Sequence, residues 1–378
     1  MKENYSQTTK DEFRAIIKSY YIKSNEVGNI TNPEEMLNYA TLHQLNSIFY
    51  YMLLNQKDKI NNGRGELMSR YLTSIKSSAL KARESKNLDE YLKKNNVKHS
   101  FIKGQFIKDF YYPHEVRSMG DIDIFVPDDK LLKPYFDMEG YSQSEYYAEV
   151  TTYKKDRIEF EVHKEIEWFG IDWAPLCTYT KEGVFDNRSQ AMLLIVHAMK
   201  HLVMYGLGIR QVLDIAIMLR EDSSILEDKI FLDKLKELKI YNCYNSLLAL
   251  INSWFDTDYK CNSSIEAVEV LSNAIENGGV FGFNLNDYAT INTVSHKSKF
   301  KMYMRMLFPK YDRMVLSYPV LKEKKYLLGY YYMKRLFTRG LNEKRYKIMS
   351  RTSDESSVEN RKKFVEVLDI EKQYYNNL

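Results

Sequence analysis

The sequence predicts an α+β fold, in which a small mixed β-sheet is combined with a helical N-terminal region and a larger helical C-terminal domain. Apolar residues recur at helical spacing up to about residue 95 and again from residue 188 onward. Between these segments the pattern changes to short apolar runs and to alternation with period two. We therefore assign residues 1–95 to the helical N-terminal region, 96–186 to the sheet core and 187–378 to the helical C-terminal domain.

The N-terminal region contains runs such as EEMLNYATLHQLNSIFYYMLL, whose apolar residues lie on one side of a helix between polar faces. We expect this region to pack against the sheet. The next segments predict a strand in HSFIKG, a short helix in QFIKDFYY and a second strand in GDIDIFV, bounded by Pro113 and Pro127.

A helix is predicted near residues 130–138, and it is followed by a turn at Gly140. The runs YYAEVTTY and RIEFEVHKEI then alternate on either side of the polar turn KKDR, which predicts an antiparallel hairpin. Helical spacing returns in SQAMLLIVHAMKHLVMYGLG and IRQVLDIAIMLRED.

The composition is that of an ordinary soluble chain, with 44% hydrophobic and 28% charged residues. The net charge of +4 over 378 residues gives little support for a protein that coats nucleic acid. Cys177, Cys243 and Cys261 have no metal-like spacing and are odd in number, which argues against a disulfide framework and a zinc ribbon. Since no signal core or membrane-length apolar run is present, we expect a cytoplasmic protein that does not engage a membrane.

Two aspartates stand one residue apart in the apolar run GDIDIFV. Residues i and i+2 of a strand point to the same face, so Asp121 and Asp123 are expected to project together. Two neighbouring carboxylates repel each other and resist burial unless a positive charge lies between them. The pattern therefore indicates a divalent cation, and such pairs also support two-metal phosphoryl chemistry.

A third carboxylate is expected from the predicted hairpin, where Glu159, Glu161 and His163 share one face. We favour Glu161 as the third metal ligand. The alternative is that Asp121 is only a turn residue after Gly120 and that the glutamates line a solvated hairpin face.

The order of these pieces resembles the polymerase-β-type nucleotidyltransferase superfamily, and specifically its branch of uncharacterised bacterial nucleotidyltransferases. The resemblance rests on FIKGQFIKDFYYPHEVRSMGDIDIFVP, followed by MEGY and then EFEVH. The later segments AMLLIVHAMKHLVMYGLGIRQVLDIAIML and RMLFPKYDRMVLSYPVLKEKKYL extend it over nearly the whole chain. The resemblance implies a nucleotidyltransferase sheet core, two Mg²⁺ (or Mn²⁺) ions at Asp121 and Asp123, and Glu161 as the third carboxylate.

The chain departs from the superfamily at the phosphate-binding motif, because Lys103-Gly104-Gln105 stands where a Gly-Ser pair is usual. The Lys103 ammonium can bind the phosphates while Gly104 allows close backbone approach. The alternative is a surface lysine before a turn. Arg117 can balance negative charge at the site, or it can be the structural partner of an acidic loop residue.

Several histidines complete the set of candidate binding residues. His163 is either a partner of the metal ligands or of the substrate, or a sheet histidine with satisfied hydrogen bonds. His197 and His201 are spaced four residues apart, but the missing Glu of an H-E-x-x-H motif argues against zinc. We instead expect a polar layer at the cleft, or plain helix-interface residues, formed by His197, Lys200, His201, Arg210 and Asp214.

The predicted activity is transfer of a nucleoside monophosphate from a nucleoside triphosphate such as ATP to an unidentified acceptor, with release of pyrophosphate. The acceptor classes left open are a small molecule, a saccharide, a protein and RNA. Two alternatives remain at this point: a nucleotide-binding regulatory protein with little catalytic activity, and a toxin-like nucleotidyltransferase directed at RNA or tRNA.

Overall fold

The computed structural model describes most of the chain, namely residues 5–56, 64–146, 150–164, 167–168, 171–172, 177–181, 183–204, 206–279, 308, 311, 314–315, 318–335 and 355–369. Residues 147–149, within YYAEVTTY, and much of the predicted C-terminal domain after residue 279 lie outside these ranges.

Helices flank the sheet on both sides in the sequence. Before the sheet come α1 (Gln7–Tyr21), α2 (Pro33–Leu42), α3 (Asn46–Leu54) and α4 (Arg64–Lys94). Between strands lie α5 (Gly104–Ile107) and α6 (Leu132–Met138). After the sheet the described residues form α7 (Asn187–Met204), α8 (Ile209–Glu221), α9 (Lys229–Glu237), α10 (Tyr241–Phe255), α11 (Ile265–Gly278), α12 (Leu328–Arg335) and α13 (Glu355–Val367).

Seven strands are present in the described residues: β1 (Ser100–Phe101), β2 (Ile122–Phe125), β3 (Ser142–Tyr146), β4 (Val150–Lys155), β5 (Ile158–His163), β6 (Glu167–Trp168) and β7 (Ile171–Asp172). Five of them form one mixed sheet in the order β1-β2-β5-β4-β3, and β6 pairs with β7 separately. The β2 and β5 strands run parallel, whereas the other neighbours in the five-stranded sheet are antiparallel. The predicted α+β fold is therefore confirmed.

The predicted hairpin is also confirmed, because β4 and β5 pair from Lys155 and Ile158 outward around a two-residue turn. At the first turn position, Asp156 has a positive φ of 54°, a conformation that aspartate tolerates better than most residues. The β3 strand was not predicted, since SQSEY has no alternating apolar residues to mark it.

The two faces of β2 serve different purposes, because successive side chains point to opposite sides of a strand. Ile122, Ile124 and Val126 are buried in a core with Phe136 of α6 and Leu88 of α4. On the other face, Phe125 packs against Phe185, with ring centroids 5.1 Å apart, within the core of the C-terminal helices. The aspartates therefore face the helical part of the molecule.

The N-terminal helices pack in two places. Helix α4 packs against one face of the sheet through Leu88 and Leu92. Residues of α1–α3 such as Phe13 and Ile48 share one apolar core with Phe125 of β2 and with residues of α8–α11 such as Leu213. Among the described residues, no helix is both long enough and apolar enough to cross a bilayer.

One buried ion pair joins the loop before β2 to helix α8. Arg117 Nε and Nη2 each lie 2.7 Å from a carboxylate oxygen of Asp214, and the Tyr111 hydroxyl donates to Asp214 Oδ1 at 2.6 Å. Arg117 and Asp214 are 5% and 3% exposed. Burial opposes the charge of Arg117, but Asp214 offsets this cost and raises the pKa of the guanidinium. A bidentate pair of this kind fixes the orientation of both elements.

We expect Asp214→Asn to lower the free energy of unfolding by about 3–5 kcal/mol, because it leaves a buried guanidinium without its counter-charge. Replacing both partners, as in Arg117→Met with Asp214→Leu, should cost less than the single change. Urea unfolding measures both. As a control, Asp137→Asn breaks the exposed pair with Lys133 and should cost less than about 1 kcal/mol; similar losses for Asp214→Asn and Asp137→Asn would contradict the assignment.

Candidate active site

The acidic residues singled out in the sequence meet on the face of the sheet that points toward α7 and α8. The parallel register of β2 and β5 places Glu161 directly opposite Asp123 and His163 opposite Phe125. Asp121 immediately precedes β2, two residues before Asp123. Carboxylate or imidazole atoms of Asp123, Glu161 and His163 all lie within 4.8 Å of one another. The sheet register thus brings a set of metal-capable side chains together.

Asp123 is the most enclosed of these carboxylates, with 4% exposure. Its Oδ1 atom lies 2.5 Å from Lys103 Nζ and 2.8 Å from His163 Nε2. Burial alone would raise the pKa of Asp123, but the Lys103 ammonium and the His163 hydrogen bond together lower it below its usual range. Asp123 is therefore ionised.

Lys103 occupies a constrained backbone position between β1 and α5. Its φ and ψ angles are 52° and −124°, a combination that is costly for a residue with a side chain. Burial opposes the charge of Lys103, yet Asp123, Glu161 and Asp121 raise its pKa. In this structure the lysine therefore supplies positive charge to the carboxylates.

Gly104 allows the start of α5 to approach the loop before β2. A Cβ atom at this position would lie 3.4 Å from Met119 Cγ and 3.5 Å from Arg117 Nη1 and Nη2. A larger side chain would press on the arginine that binds Asp214.

The other two carboxylates are less easily ionised. Burial, and then the charge of Asp123, raise the pKa of Glu161 to about 7. The charge of Asp123, and then burial, raise the pKa of Asp121. Three neighbouring carboxylates, two of them with raised pKa values, form a cluster that a bound cation would stabilise, and oxygen-rich sets of this kind suit hard divalent ions.

Glu159, the alternative third carboxylate, lies apart from the donor group. Its Oε2 atom is 2.9 Å from Lys154 Nζ on the neighbouring strand. The register pairs Lys154 with Glu159, whereas it pairs Thr152 with Glu161. Glu161 is therefore the hairpin glutamate that the fold places beside Asp123.

The Arg117 side chain is engaged by Asp214, an acidic residue that lies on helix α8 and not in a loop. Arg117 thus orients the chain four residues before Asp121.

His197 and His201 lie side by side on α7, with ring centroids 4.3 Å apart. Burial and the Lys103 ammonium lower the pKa of His201 to about 4, and they lower the pKa of His197 well below its ordinary value. Both rings are therefore neutral at physiological pH, and neither belongs to the donor group around Asp123.

Arg210, at the start of α8, also binds the loop before Asp121. Its Nη1 atom donates to the Gln44 side chain and, at 3.3 Å, to the Ser118 carbonyl. Burial, and then the charge of Arg117, lower the pKa of Arg210 to about 10. The predicted polar layer thus includes two residues, Arg210 and Asp214, that hold this loop in place.

Lys81 of α4 is a contributor that the sequence did not reveal. Its Nζ atom donates to the carbonyls of Met119 at 2.6 Å and Gly120 at 2.8 Å, and its side chain is buried. Ser78, one turn earlier, donates to the Arg117 carbonyl at 3.3 Å. Since α4 contains many lysines, no local pattern distinguishes the one that contacts the loop.

Comparison with known proteins identifies one family. The model of a family described as uncharacterised nucleotidyltransferase matches residues 29–256, which is more than half of the chain. No curated protein and no solved structure matches significantly. The matched segment contains every residue of the acidic cluster and of the Arg117–Asp214 ion pair.

We expect Lys81→Met to lower the free energy of unfolding by about 1.5–3 kcal/mol, because two carbonyls lose a charged donor while the alkyl stem is retained. Since those carbonyls immediately precede Asp121, Mn²⁺ affinity should also fall, as calorimetry can measure. Lys76→Met, on an exposed part of the same helix, is the matched control. Unchanged Mn²⁺ affinity in a folded Lys81→Met protein would show that Lys81 does not position the site.

We expect Glu161→Gln to raise the melting temperature in EDTA, because it removes one of three mutually repelling carboxylates. Mn²⁺ should stabilise the original protein by binding the folded state and should stabilise the variant less. Thermal unfolding with EDTA, Mg²⁺ or Mn²⁺ tests both expectations. Glu159→Gln is the control on the same strand, and an equal loss of the Mn²⁺ effect in both variants would contradict the special position of Glu161.

Proposed function

The chain belongs to the uncharacterised nucleotidyltransferase family, and from this membership we propose that it is a metal-dependent nucleotidyltransferase. It transfers a nucleoside monophosphate from a nucleoside triphosphate to an acceptor nucleophile. The acceptor oxygen forms a bond to the α-phosphorus, the bond from that phosphorus to the bridging oxygen breaks, and pyrophosphate leaves.

The observation that carries the proposal is the clustering of three carboxylates around the Lys103 ammonium. These carboxylates belong to Asp121, Asp123 and Glu161, and two of the three have raised pKa values. Their oxygen atoms fit Mg²⁺ or Mn²⁺, which when bound would neutralise phosphate charge and polarise the reacting phosphoryl group. His163 serves as a hydrogen-bond partner of Asp123, since Mg²⁺ prefers oxygen ligands to imidazole.

Each residue of the cluster has a distinct proposed role. Asp121 and Asp123 hold the cation and thereby the triphosphate. Glu161 would complete the coordination of one cation and accept the proton of the acceptor hydroxyl. Its pKa near 7 supports the second role, because a general base works best with a pKa close to the working pH.

The phosphates are proposed to contact Lys103 and the backbone at Gly104. Lys103 is 2.5 Å from Asp123, so a small side-chain movement suffices to reach a phosphate bound beside that carboxylate. Arg117 is proposed to act by positioning Asp121, since its guanidinium is engaged by Asp214.

The polar layer from α7 and α8 is proposed to form the nucleotide-binding side of the cleft. It contains His197, His201 and Arg210. The lowered pKa values of the two histidines support neutral hydrogen-bonding roles toward base or sugar.

The decisive experiment supplies each of the four labelled nucleoside triphosphates with Mg²⁺ or Mn²⁺ to protein mixed with cell extract, a tRNA pool or small metabolites. Pyrophosphate release together with label transfer is expected, and the arm that accepts the label identifies the acceptor class. Activity should disappear in Asp121→Asn with Asp123→Asn and in Glu161→Gln, but it should persist in Glu159→Gln. Activity retained by the double aspartate variant would reject the site.

A second function is favoured by the replacement of the usual Gly-Ser pair by Lys103-Gly104. In this alternative the protein binds nucleotide as a regulatory protein and turns it over slowly or not at all. Metal-dependent nucleotide binding without pyrophosphate release in any arm would select it. Triphosphate binding that is equally strong in EDTA would contradict both functions.

We expect Lys103→Met to weaken triphosphate binding about ten- to a hundred-fold in the presence of Mg²⁺, because a charge-assisted contact of about 1.5–3 kcal/mol is lost. Monophosphate affinity should change little. The variant should also unfold at lower temperature in EDTA, because Asp123 loses its buried counter-charge. Lower stability with unchanged triphosphate affinity would show that Lys103 is only a counter-ion of Asp123.

A further inference from the structure

A cavity of about 290 Å³ lies outside the acidic cluster, where the end of α1, helix α3, the segment after α5 and the end of α8 meet. It is lined by Tyr20, Lys23, Ser24, Asn25, Tyr51, Met52, Phe110, Tyr112, Ile217 and Arg220. None of these residues belongs to the candidate active site.

The inner part of the cavity is aromatic and apolar. Tyr20, Met52 and Ile217 are buried, and the Tyr20 and Tyr51 rings meet edge to face with centroids 6.3 Å apart. At the mouth, the Tyr112 side chain is 72% exposed, although its backbone N–H donates to the Tyr20 hydroxyl at 3.2 Å. A cavity lined by tyrosine rings favours a ligand with a flat ring system, because a planar heterocycle can stack on such rings.

Two polar side chains at the rim of the cavity, Lys23 and Asn25, are available to bind a ligand. Arg220 is engaged, since Nε and Nη2 donate to Glu221 and Nη1 donates to the Tyr21 carbonyl. Within the described part of the chain, the Lys23 ammonium has no ion-pair partner, and the Asn25 side-chain amide makes no hydrogen bond. The rim therefore offers one cation for an anionic group and one amide that can both donate and accept.

We propose that this cavity is a second binding site, which takes a nucleoside monophosphate. The base lies among the tyrosine rings, Asn25 hydrogen-bonds the edge of the base, and Lys23 binds the phosphate. The volume of about 290 Å³ is just below the range of about 300–1,000 Å³ for ligand sites, which suits one base with its sugar phosphate at the open mouth. The proposal does not depend on the proposed transferase function.

The cavity lies near the Arg117–Asp214 ion pair, and none of its lining residues belongs to the acidic cluster. Tyr111, between Phe110 and Tyr112, donates its hydroxyl hydrogen to Asp214. Asp214 and Arg220 are six residues apart on α8, which is about 9 Å along the helix axis. A test must therefore separate binding in the cavity from metal-dependent binding at the carboxylates.

Calorimetry with AMP and with adenosine, on the full chain in EDTA, makes this separation. We expect AMP to bind at one site and Lys23→Ala to weaken it about tenfold, the effect of losing one charged contact. In Lys23→Ala, AMP and adenosine should bind with similar affinity, because the phosphate has lost its partner. Tyr112→Ala should weaken both ligands, because it removes a stacking surface.

Matched variants control for changes in the fold. Lys239→Ala replaces another exposed lysine with positive φ after a helix, and Tyr326→Ala replaces another exposed tyrosine; both should bind AMP like the original protein. Lys103→Met should also leave AMP binding in EDTA unchanged. The proposal is overturned if AMP fails to bind at millimolar concentration, or if Lys103→Met rather than Lys23→Ala weakens it.

Discussion

The ion pair between Arg117 and Asp214 is the interaction on which the candidate site depends. It connects a loop of the sheet unit to a helix of the C-terminal half, two elements separated by almost a hundred residues in the sequence. Because both side chains are buried, each charge needs the other to offset the cost of its desolvation. The bidentate geometry permits one relative orientation of the loop and α8. Tyr111 completes the arrangement by donating to the same carboxylate. The backbone leading into Asp121 is thereby held against α8.

Three further residues hold this loop from other directions. Lys81 binds the carbonyls of residues 119 and 120 from the long helix α4, and Ser78 binds the carbonyl of Arg117. Arg210 contacts the Ser118 carbonyl. A loop that carries a repelling carboxylate needs such support, because charge repulsion with Asp123 would otherwise displace it.

The charges at the site are balanced within the protein only in part. Lys103 and His163 keep Asp123 ionised, while burial and the charge of Asp123 raise the pKa values of Glu161 and Asp121. The strained backbone of Lys103 is consistent with the need for positive charge beside these carboxylates, since the conformation directs a buried ammonium toward Asp123. Strain retained beside a charged cluster is typical of functional sites.

The sequence by itself determined the fold class and the β4–β5 hairpin, because periodicity and turn residues are local signals, and the order of its motifs indicated the family; all three are confirmed. It also placed Asp121, Asp123, Glu161 and His163 on common faces, since strand alternation is a fixed geometric rule. It did not reveal β3, whose polar residues show no alternation, nor the shared core of α1–α3 with the C-terminal helices. Only the tertiary structure decided that Arg117 binds Asp214, that Lys103 binds Asp123, and that Lys81 supports the loop. Long charged side chains can reach many partners, so the partner each one takes depends on which distant element the fold brings within a few ångströms and on which buried charge needs compensation.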